Sequence, residues 1–389
     1  MAAAVDRQAV VAAVERKAKR IRELARQIGE NPELGFQEHK AAQWLGAALR
    51  EAGFAVQYGT AGMETAFCAQ IGQGRPTVAF LCEYDALPEI GHACGHNLIG
   101  AASVGAALGL AELMPELQGT LVVLGAPAEE TGGGKVKLVE AGAFQSVDAA
   151  MMFHPSGQNL LMSTSNALDA YEFVFIGRAA HAAASPEQGI NALDGVIHLF
   201  NGINSLRQHL KDDVRIHGII TEGGTAPNIV PARAVARFYF RAATRSYLNE
   251  VVEKIFQIAR GAALITGAQV EWHKFEMSND NFVPNKALAG AFRRSLELLG
   301  VREVEEYREG RGSSDMGNVS HVVPSIHPYL SVGEGLISHT PEFAQACLSL
   351  VGLDTAVLAA KALALTAFDL FTDAELLAKV RAEHSQAQA

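Results

Sequence analysis

A chain of 389 residues is long enough to bury a large core, and a composition of 49% hydrophobic and 19% charged residues excludes a disordered protein. The formal net charge of −10 argues against nucleic acid or an anionic membrane as the main partner, because both need a positively charged face. Small metabolites are therefore the expected ligands.

The first residues, the longest apolar segment and the cysteines predict where in the cell the protein is located. The first residues, MAAAVDRQAV, lack the basic start and apolar core of a secretory signal. The longest apolar segment, near the carboxyl end, contains Asp354, Lys361 and Asp369, which argues against a membrane span. The four cysteines show no disulfide framework spacing and are expected to be reduced. We therefore expect a cytoplasmic protein.

The predicted elements alternate between helix and strand through the first part of the chain. Apolar residues from Val10 to Ile28 recur at three- and four-residue steps, which predicts a helix, and a second helix ends before Gly53. Strands and helices then alternate through residue 154. This alternation predicts an α/β fold with a mostly parallel sheet and helices on both faces.

The pattern changes near residue 168. Residues 169–280 read as strand, helix, strand, strand, helix, strand, which is the order of a ferredoxin-like domain. Helices are predicted again at 285–299 and 343–371, and they resume the pattern of residues 1–168. The sequence thus predicts one domain formed by 1–168 and 281–389, with 169–280 inserted into it as a lid or dimerisation domain.

Polar side chains follow three of the predicted strands. Residues 77–82 run into Glu83 and Asp85, residues 120–126 run into Glu129 and Glu130, and residues 148–153 run into His154. Ligands of open α/β sheets bind beyond the carboxyl ends of the strands, so these side chains are expected to face one another.

A fourth cluster, Cys94-Gly95-His96-Asn97, opens a long helix of small residues. A helix amino end favours the thiolate form of Cys94, and Cys94 and His96 can both point into one crevice. Taken singly, Cys94 is more typical of a small buried residue and His154 of a partly buried histidine, while Glu129 and Glu130 could form a solvated turn. Their convergence predicts a metal site.

Seven segments in order resemble one family over essentially the whole chain. They are CEYDALPEIGHACGHN, GAPAEETGGGK, FHP, GRAAHAAASPEQGINAL, GGTAPNIVPARA, GSSDMGNVSHVVPSIHP and ISHTPEF. The chain resembles the dinuclear metal aminoacylase and carboxypeptidase family of metallopeptidases, in its amidohydrolase branch. It looks most like the β-alanyl-lysine dipeptidase and aminobenzoyl-glutamate hydrolase group.

The resemblance implies two divalent metal ions per chain. The side chains it assigns as ligands are Cys94, His96, Glu130, His154 and His339. Zinc suits this mixture of thiolate, imidazole and carboxylate, and manganese or cobalt would tolerate it. The family's usual His-x-Asp appears here as Glu83-Tyr84-Asp85, which leaves the role of Glu83 open, and Asn97 stands where many relatives have aspartate.

The resemblance also implies roles for residues that bind no metal. Glu129 would be the general acid/base, and Asp85 would orient a metal ligand. Within the inserted domain, His181 and Asn228 would reach the active site of a dimer partner, and Arg241 would bind the free carboxylate of the substrate. Without the resemblance, a helix or turn cap explains Asp85 equally well, and a solvated strand-end charge explains Arg241 equally well. A loop histidine such as His181 is usually just solvated, and Asn228 could be an ordinary turn residue.

Three functions follow from these residues. The leading one is metal-dependent hydrolysis of an amide or peptide bond in a small N-acyl amino acid or dipeptide. A catalytically silent binding protein of the same fold is the second, and a cysteine hydrolase that uses Cys94 with a histidine base is the third. Deamination or another hydrolytic reaction on the same metal centre also remains open.

Overall fold

The computed structural model describes residues 5–387, which form two compact units. The smaller unit contains Ser165–Asn281 and Arg311–Ser313, and the larger unit contains the rest of the described chain. The sequence boundaries, 169 and 280, differ from these limits by four residues and by one. The three-residue segment was not expected from the sequence.

Helices and strands are numbered along the whole chain. The helices of the larger unit are α1 (Arg7–Arg16), α2 (Ala18–Gly29), α3 (His39–Glu51), α4 (His96–Ala111), α5 (Gly134–Glu140), α8 (Lys286–Leu298), α9 (Met316–Ser320), α10 (Pro341–Leu348), α11 (Leu350–Thr372) and α12 (Ala374–Ala387). Its strands are β1 (Ala55–Tyr58), β2 (Phe67–Gln73), β3 (Thr77–Cys82), β4 (Gly119–Gly125), β5 (Ala149–Met151), β6 (His154–Ser156), β7 (Leu160–Ser163), β12 (Glu305–Arg308), β13 (Ser325–Ile326) and β14 (Tyr329–Ser331).

The larger unit is built on a six-stranded sheet with the order β1-β2-β4-β3-β5-β13. The pairings β4–β3, β3–β5 and β5–β13 are parallel, whereas β2 pairs in antiparallel fashion with both β1 and β4. Because β3, β4 and β5 are parallel, their carboxyl ends meet at one edge of the sheet. The mostly parallel α/β fold predicted from the sequence is confirmed. A second sheet, β12-β7-β14-β6, completes this unit.

Helix α4 is buried along nearly its whole length, and small residues make this possible. A Cβ atom on Gly105 would lie 2.4 Å from Ile21 Cγ1 of α2, and one on Gly109 would lie 2.4 Å from Val14 Cγ2 of α1. These glycines let α1 and α2 pack directly on the α4 backbone. The small-residue pattern therefore fixes the helix whose amino end carries His96.

Two helices predicted as continuous are each broken once. The first ends at Arg16, and α2 starts after Lys17, whose φ of −92° and ψ of −3° depart from ideal helical geometry. The last predicted helix is divided by Ser349, whose extended backbone ends α10 and whose side chain accepts a hydrogen bond from Gly352 N at the start of α11. A serine at this position is a typical helix cap.

Helix α11 is long and apolar enough to cross a membrane, by length and composition alone. Within the protein, 72% of its most apolar 18-residue window is buried. A core helix passes the same test, so α11 is weak evidence for a membrane span.

The smaller unit contains β8 (Ala167–Ile176), α6 (Ala192–Leu206), β9 (Arg215–Glu222), β10 (Arg233–Ala242), α7 (Arg245–Thr266) and β11 (Gln269–Lys274). Its sheet has the order β11-β8-β10-β9, and all pairs are antiparallel. Phenylalanine rings of β8 and β10, including Phe173 and Phe238, form its core. The predicted ferredoxin-like order is confirmed, and β9 lies at an edge of the sheet.

Candidate metal centre

The larger unit brings together the predicted ligand side chains. In the part of the chain that the structure describes, three overlapping groups of side chains could hold a metal ion. Within each group, the ligand atoms lie within 4.8 Å of one another. The groups are Cys94 with His96 and His154, Cys94 with Glu130 and His339, and His96 with Glu129 and Glu130. The first two groups contain all five predicted ligands and share Cys94. The five predicted ligands therefore converge on one place, which suits the binding of metal.

The polar atoms at the centre of these groups fit metal ions better than hydrogen bonds. Among the described residues, His96 Nε2 and Glu130 Oε1 are buried and have no hydrogen-bond partner. Cys94 Sγ lies 3.3 Å from His154 Nε2, and Glu130 Oε1 lies 3.2 Å from His339 Nε2. Two atoms bound tetrahedrally to one ion lie about 3.3–3.6 Å apart. Unpartnered buried polar atoms are costly, and bound cations would satisfy these.

Asp85 orients His96, the first residue of α4. His96 is fully buried, and its Nδ1 donates to Asp85 Oδ1 at 2.8 Å, so that Nε2 is left to face the other ligands. Asp85 Oδ2 accepts from Glu130 N at 3.0 Å. Burial works against the charged form of Asp85, but the charge and hydrogen bond of His96 outweigh it and lower the pKa of Asp85. Asp85 therefore holds one residue from each of the first two groups.

The environments of Cys94 and His154 argue against a thiol nucleophile. Burial raises the pKa of the Cys94 thiol well above its ordinary value. Burial and the nearby His96 lower the pKa of His154 to about 4. His154 Nδ1 donates to Pro155 O at 2.7 Å, so its Nε2 presents a lone pair. Without a metal the pair would be a neutral thiol and a neutral imidazole, which is the opposite of an activated cysteine.

Glu129 and Glu130 follow β4 in a tightly built loop. Ala128 has a φ of 57°, and its N–H donates to the buried Glu38 Oε1 at 2.8 Å. Burial, followed by the charges of Glu83 and Asp315, raises the pKa of Glu129 well above its ordinary value. Burial also tends to raise the pKa of Glu130, but the nearby His339 and His96 outweigh the effect of burial and lower the pKa of Glu130. The pKa values of the two glutamates are thus shifted in opposite directions, which suits different roles.

His339 approaches from a loop before α10. Its backbone has a φ of 64°, and its N–H donates to Ala93 O at 2.8 Å, beside Cys94. The Glu130 carboxylate, whose Oε1 lies 3.2 Å from His339 Nε2, raises the pKa of His339. About half of the side chain is exposed, so His339 lies at the open side of the centre.

Sequence reasoning missed a buried cation beside the centre. Lys135, at the start of α5, has no exposed surface, and its Nζ contacts Glu83 Oε1 at 2.5 Å and Asp315 Oδ1. Glu83, whose role the sequence left open, also lies 3.5 Å from His96 Nε2 through its Oε2. The only sequence signal was a lone lysine directly after the glutamates and glycines of GAPAEETGGGK.

The remaining predicted residues lie in the smaller unit. His181 and Asn228 are exposed on adjacent segments, since Ala182 N donates to Asn228 O at 3.0 Å. His181 Nδ1 accepts from Ala183 N and Ala184 N, which leaves Nε2 to carry the proton. Arg241 donates to Ser313 Oγ at 2.8 Å, and burial lowers the pKa of Arg241.

Comparison with known proteins identifies the family of this chain. The model of peptidase family M20/M25/M40 matches residues 79–361. The Xaa-Arg dipeptidase of Mus musculus is 39% identical, with 95% of this chain and 90% of that protein covered. A p-aminobenzoyl-glutamate hydrolase polypeptide of Escherichia coli K12 is 31% identical, with 96% and 94% covered.

Solved structures share the fold at lower identity. A dinuclear metal binding peptidase of the M20 family from Bacillus subtilis has a TM-score of 0.70 at 21% identity, covering 91% of this chain and 99% of that chain. A putative aminohydrolase from Staphylococcus aureus has a TM-score of 0.81 at 18% identity, covering 94% and 100%. The resemblance in the motifs is thereby confirmed. The chain belongs to peptidase family M20/M25/M40 and is a metal-dependent hydrolase of carbon–nitrogen bonds.

Proposed function

We propose that this protein is a dipeptidase or N-acyl amino acid hydrolase that uses two divalent ions per chain. The observation that carries the proposal is the pair of buried atoms, His96 Nε2 and Glu130 Oε1, that lack hydrogen-bond partners among the described residues and face other ligand atoms. One ion would be held by Cys94, His96 and His154, and the other by Cys94, Glu130 and His339.

Zinc is the proposed metal. The donor set combines thiolate, imidazole and carboxylate, which is the mixture that zinc prefers. Manganese and cobalt accept the same donors and are the alternatives to test. When bound, two such ions lower the pKa of a water toward 7 and polarise a substrate carbonyl.

Glu129 is the proposed general base and acid. It adjoins the ligand Glu130, lies within reach of His96, and is not needed to complete either three-residue ion site. In this role Glu129 takes the proton of the attacking water and passes it to the departing amine. Asp85 keeps the His96 imidazole in the tautomer that presents Nε2.

The proposed substrates carry a free carboxylate beside the scissile bond. Arg241 is a half-buried guanidinium that forms no ion pair within the described residues, and it can bind a carboxylate through two hydrogen bonds. The two relatives act on different compounds by their names, a dipeptide ending in arginine and aminobenzoyl-glutamate. The higher identity of the dipeptidase favours a dipeptide.

We propose a homodimer formed by the smaller units. Strand β9 is a sheet edge, and its Ile219 and Ile220 are exposed at 64% and 44%. An exposed apolar edge strand is prone to pair with another chain. His181, with its proton on Nε2, would stabilise the developing oxyanion in the partner's site, and Asn228 would assist it. Ile219→Asp should give monomers in sedimentation, and unchanged dimers would contradict this interface.

Two other functions fit part of the structure. A silent binding protein would hold the ions without turnover, and a deaminase would release ammonia from the same centre.

The proposed cytoplasmic location agrees with the four free cysteines, which would stay reduced there.

A substrate screen separates these functions. Metal-loaded enzyme, chelated enzyme and chelated enzyme resupplied with metal would be incubated with Xaa-Arg dipeptides, β-alanyl dipeptides, N-acyl amino acids and aminobenzoyl-glutamate. We expect release of a free amino acid that chelation abolishes and metal restores. Ammonia release would indicate deamination, and bound metal with no turnover of any compound would indicate a binding protein.

A further inference from the structure

Lys135 is a buried cation that connects three segments of the larger unit. Its Nζ contacts Glu83 at the end of β3 and Asp315 at the start of α9, and its backbone N–H donates to Asp315 Oδ2 at 2.9 Å. All three side chains are almost completely excluded from solvent. A buried lysine is costly unless its partners are fixed, so this arrangement requires an explanation beyond packing.

Glu83 uses its two carboxylate oxygens differently. Oε1 is held by Lys135 Nζ at 2.5 Å, whereas Oε2 lies 3.5 Å from His96 Nε2. A contact of 3.5 Å is too long for a good hydrogen bond, and His96 Nε2 has no hydrogen-bond partner among the described residues. The same distance is close to the spacing of about 3.3–3.6 Å between two atoms bound to one ion.

We propose that Glu83 is a further ligand of the ion held by Cys94, His96 and His154, and that Lys135 is the residue that positions it. This inference rests on the proposed dinuclear centre. Lys135, itself held by Asp315, binds one oxygen of Glu83 and thereby directs the other toward His96 Nε2. Carboxylates that bind metals are commonly held by such an outer hydrogen bond, which also fixes their charge.

The competing explanation is that Glu83 only neutralises Lys135. Glu83 is in none of the three ligand groups, and it approaches them through His96 alone. If Glu83 served only as a counter-ion, removing both charges together would leave the metal centre intact. If Glu83 is a ligand, removing Lys135 as well cannot restore it. The two explanations therefore predict opposite results for the double variant.

The test measures metal affinity by chelator competition and the visible absorption of the cobalt form in the full-length protein. Glu83→Gln should lower the affinity for one of the two ions by at least about 100-fold and change the cobalt spectrum. Even residues that only hydrogen-bond to a ligand affect metal affinity by roughly 10–100-fold. Lys135→Met should lower the affinity for the same ion by about 10–100-fold. The double variant should bind it as weakly as Glu83→Gln alone.

Asp148→Asn is the matched control. Asp148 is also a buried, ion-paired carboxylate, held by Arg75 and Arg381 at the opposite end of β3 from Glu83. This variant should keep wild-type metal affinity and spectrum. If Lys135→Met does not fold, Glu83→Gln and the double variant still decide the question.

Each outcome has a distinct meaning. Wild-type affinity and spectrum in Glu83→Gln, or recovery of both in the double variant, would overturn the ligand role of Glu83 and leave the proposed function intact. Failure of the wild-type protein to bind two ions would overturn the dinuclear centre itself, and the Glu83 proposal with it.

Discussion

Replacing Glu129 with glutamine tests the proposed chemistry directly. The amide keeps the size of the side chain but cannot accept the proton of the attacking water. General acid/base groups contribute roughly 10²–10⁴-fold, so kcat should fall by that factor, or about 2.7–5.4 kcal/mol of transition-state stabilisation. The free energy of unfolding of the apo protein should not fall, because burial and the charges of Glu83 and Asp315 already disfavour the ionised form of Glu129.

Glu130→Gln is the matched comparison, since it is the same change one residue away. Glu130 lies 3.2 Å from His339 and belongs to a group with Cys94, so this variant should lose metal. Initial rates at saturating dipeptide and metal content after gel filtration would be measured for both variants. Near-normal kcat in Glu129→Gln would show that another group moves the proton. Metal loss in Glu129→Gln but not in Glu130→Gln would mean that the two roles are exchanged.

Three further outcomes are expected. His154→Ala should lower the metal content below two ions per chain and abolish activity, whereas full metal content with normal turnover would remove it from the centre. His181→Ala and Glu129→Gln should each be inactive, but subunit exchange should restore about a quarter of wild-type activity if His181 serves the partner's site, and none if it serves its own. Gly105→Ala should destabilise the protein by about 1–3 kcal/mol through its clash with the neighbouring helix, whereas Gly290→Ala, which meets only one distant side chain, should be neutral or slightly stabilising in urea unfolding.

The parts of the site that could be predicted from the sequence depend on short-range patterns. Polar residues directly after apolar strands predicted the edge where Glu129, Glu130 and His154 meet, because parallel strands bring their carboxyl ends together. The alternation of elements similarly predicted the mostly parallel sheet of the larger unit. These features require only the local order of residues and a general rule of sheet topology.

The parts that were missed depend on long-range pairing. Lys135 reads as an ordinary helix-start lysine, and its partner Asp315 lies 180 residues further along the chain. Nothing near either residue indicates that the other is present. The break at Ser349 was missed for another reason: the apolar pattern continues through it, and only the cap geometry shows where one helix ends.

Asp85 contacts residues of both proposed ion sites and so couples their geometry. Its two oxygens hold His96, from the first group, and the Glu130 backbone, from the second. Asparagine has one acceptor oxygen, so Asp85→Asn must lose one of these hydrogen bonds and present an N–H group to a donor. We expect the affinities of both ions to fall, by about 10–100-fold for the more affected one, because outer residues fix the ligand orientation. Chelator competition would measure both affinities, with Asp148→Asn as the control for a buried carboxylate change. Unchanged affinities for both ions would show that helix α4 and the loop after β4 position the ligands without Asp85.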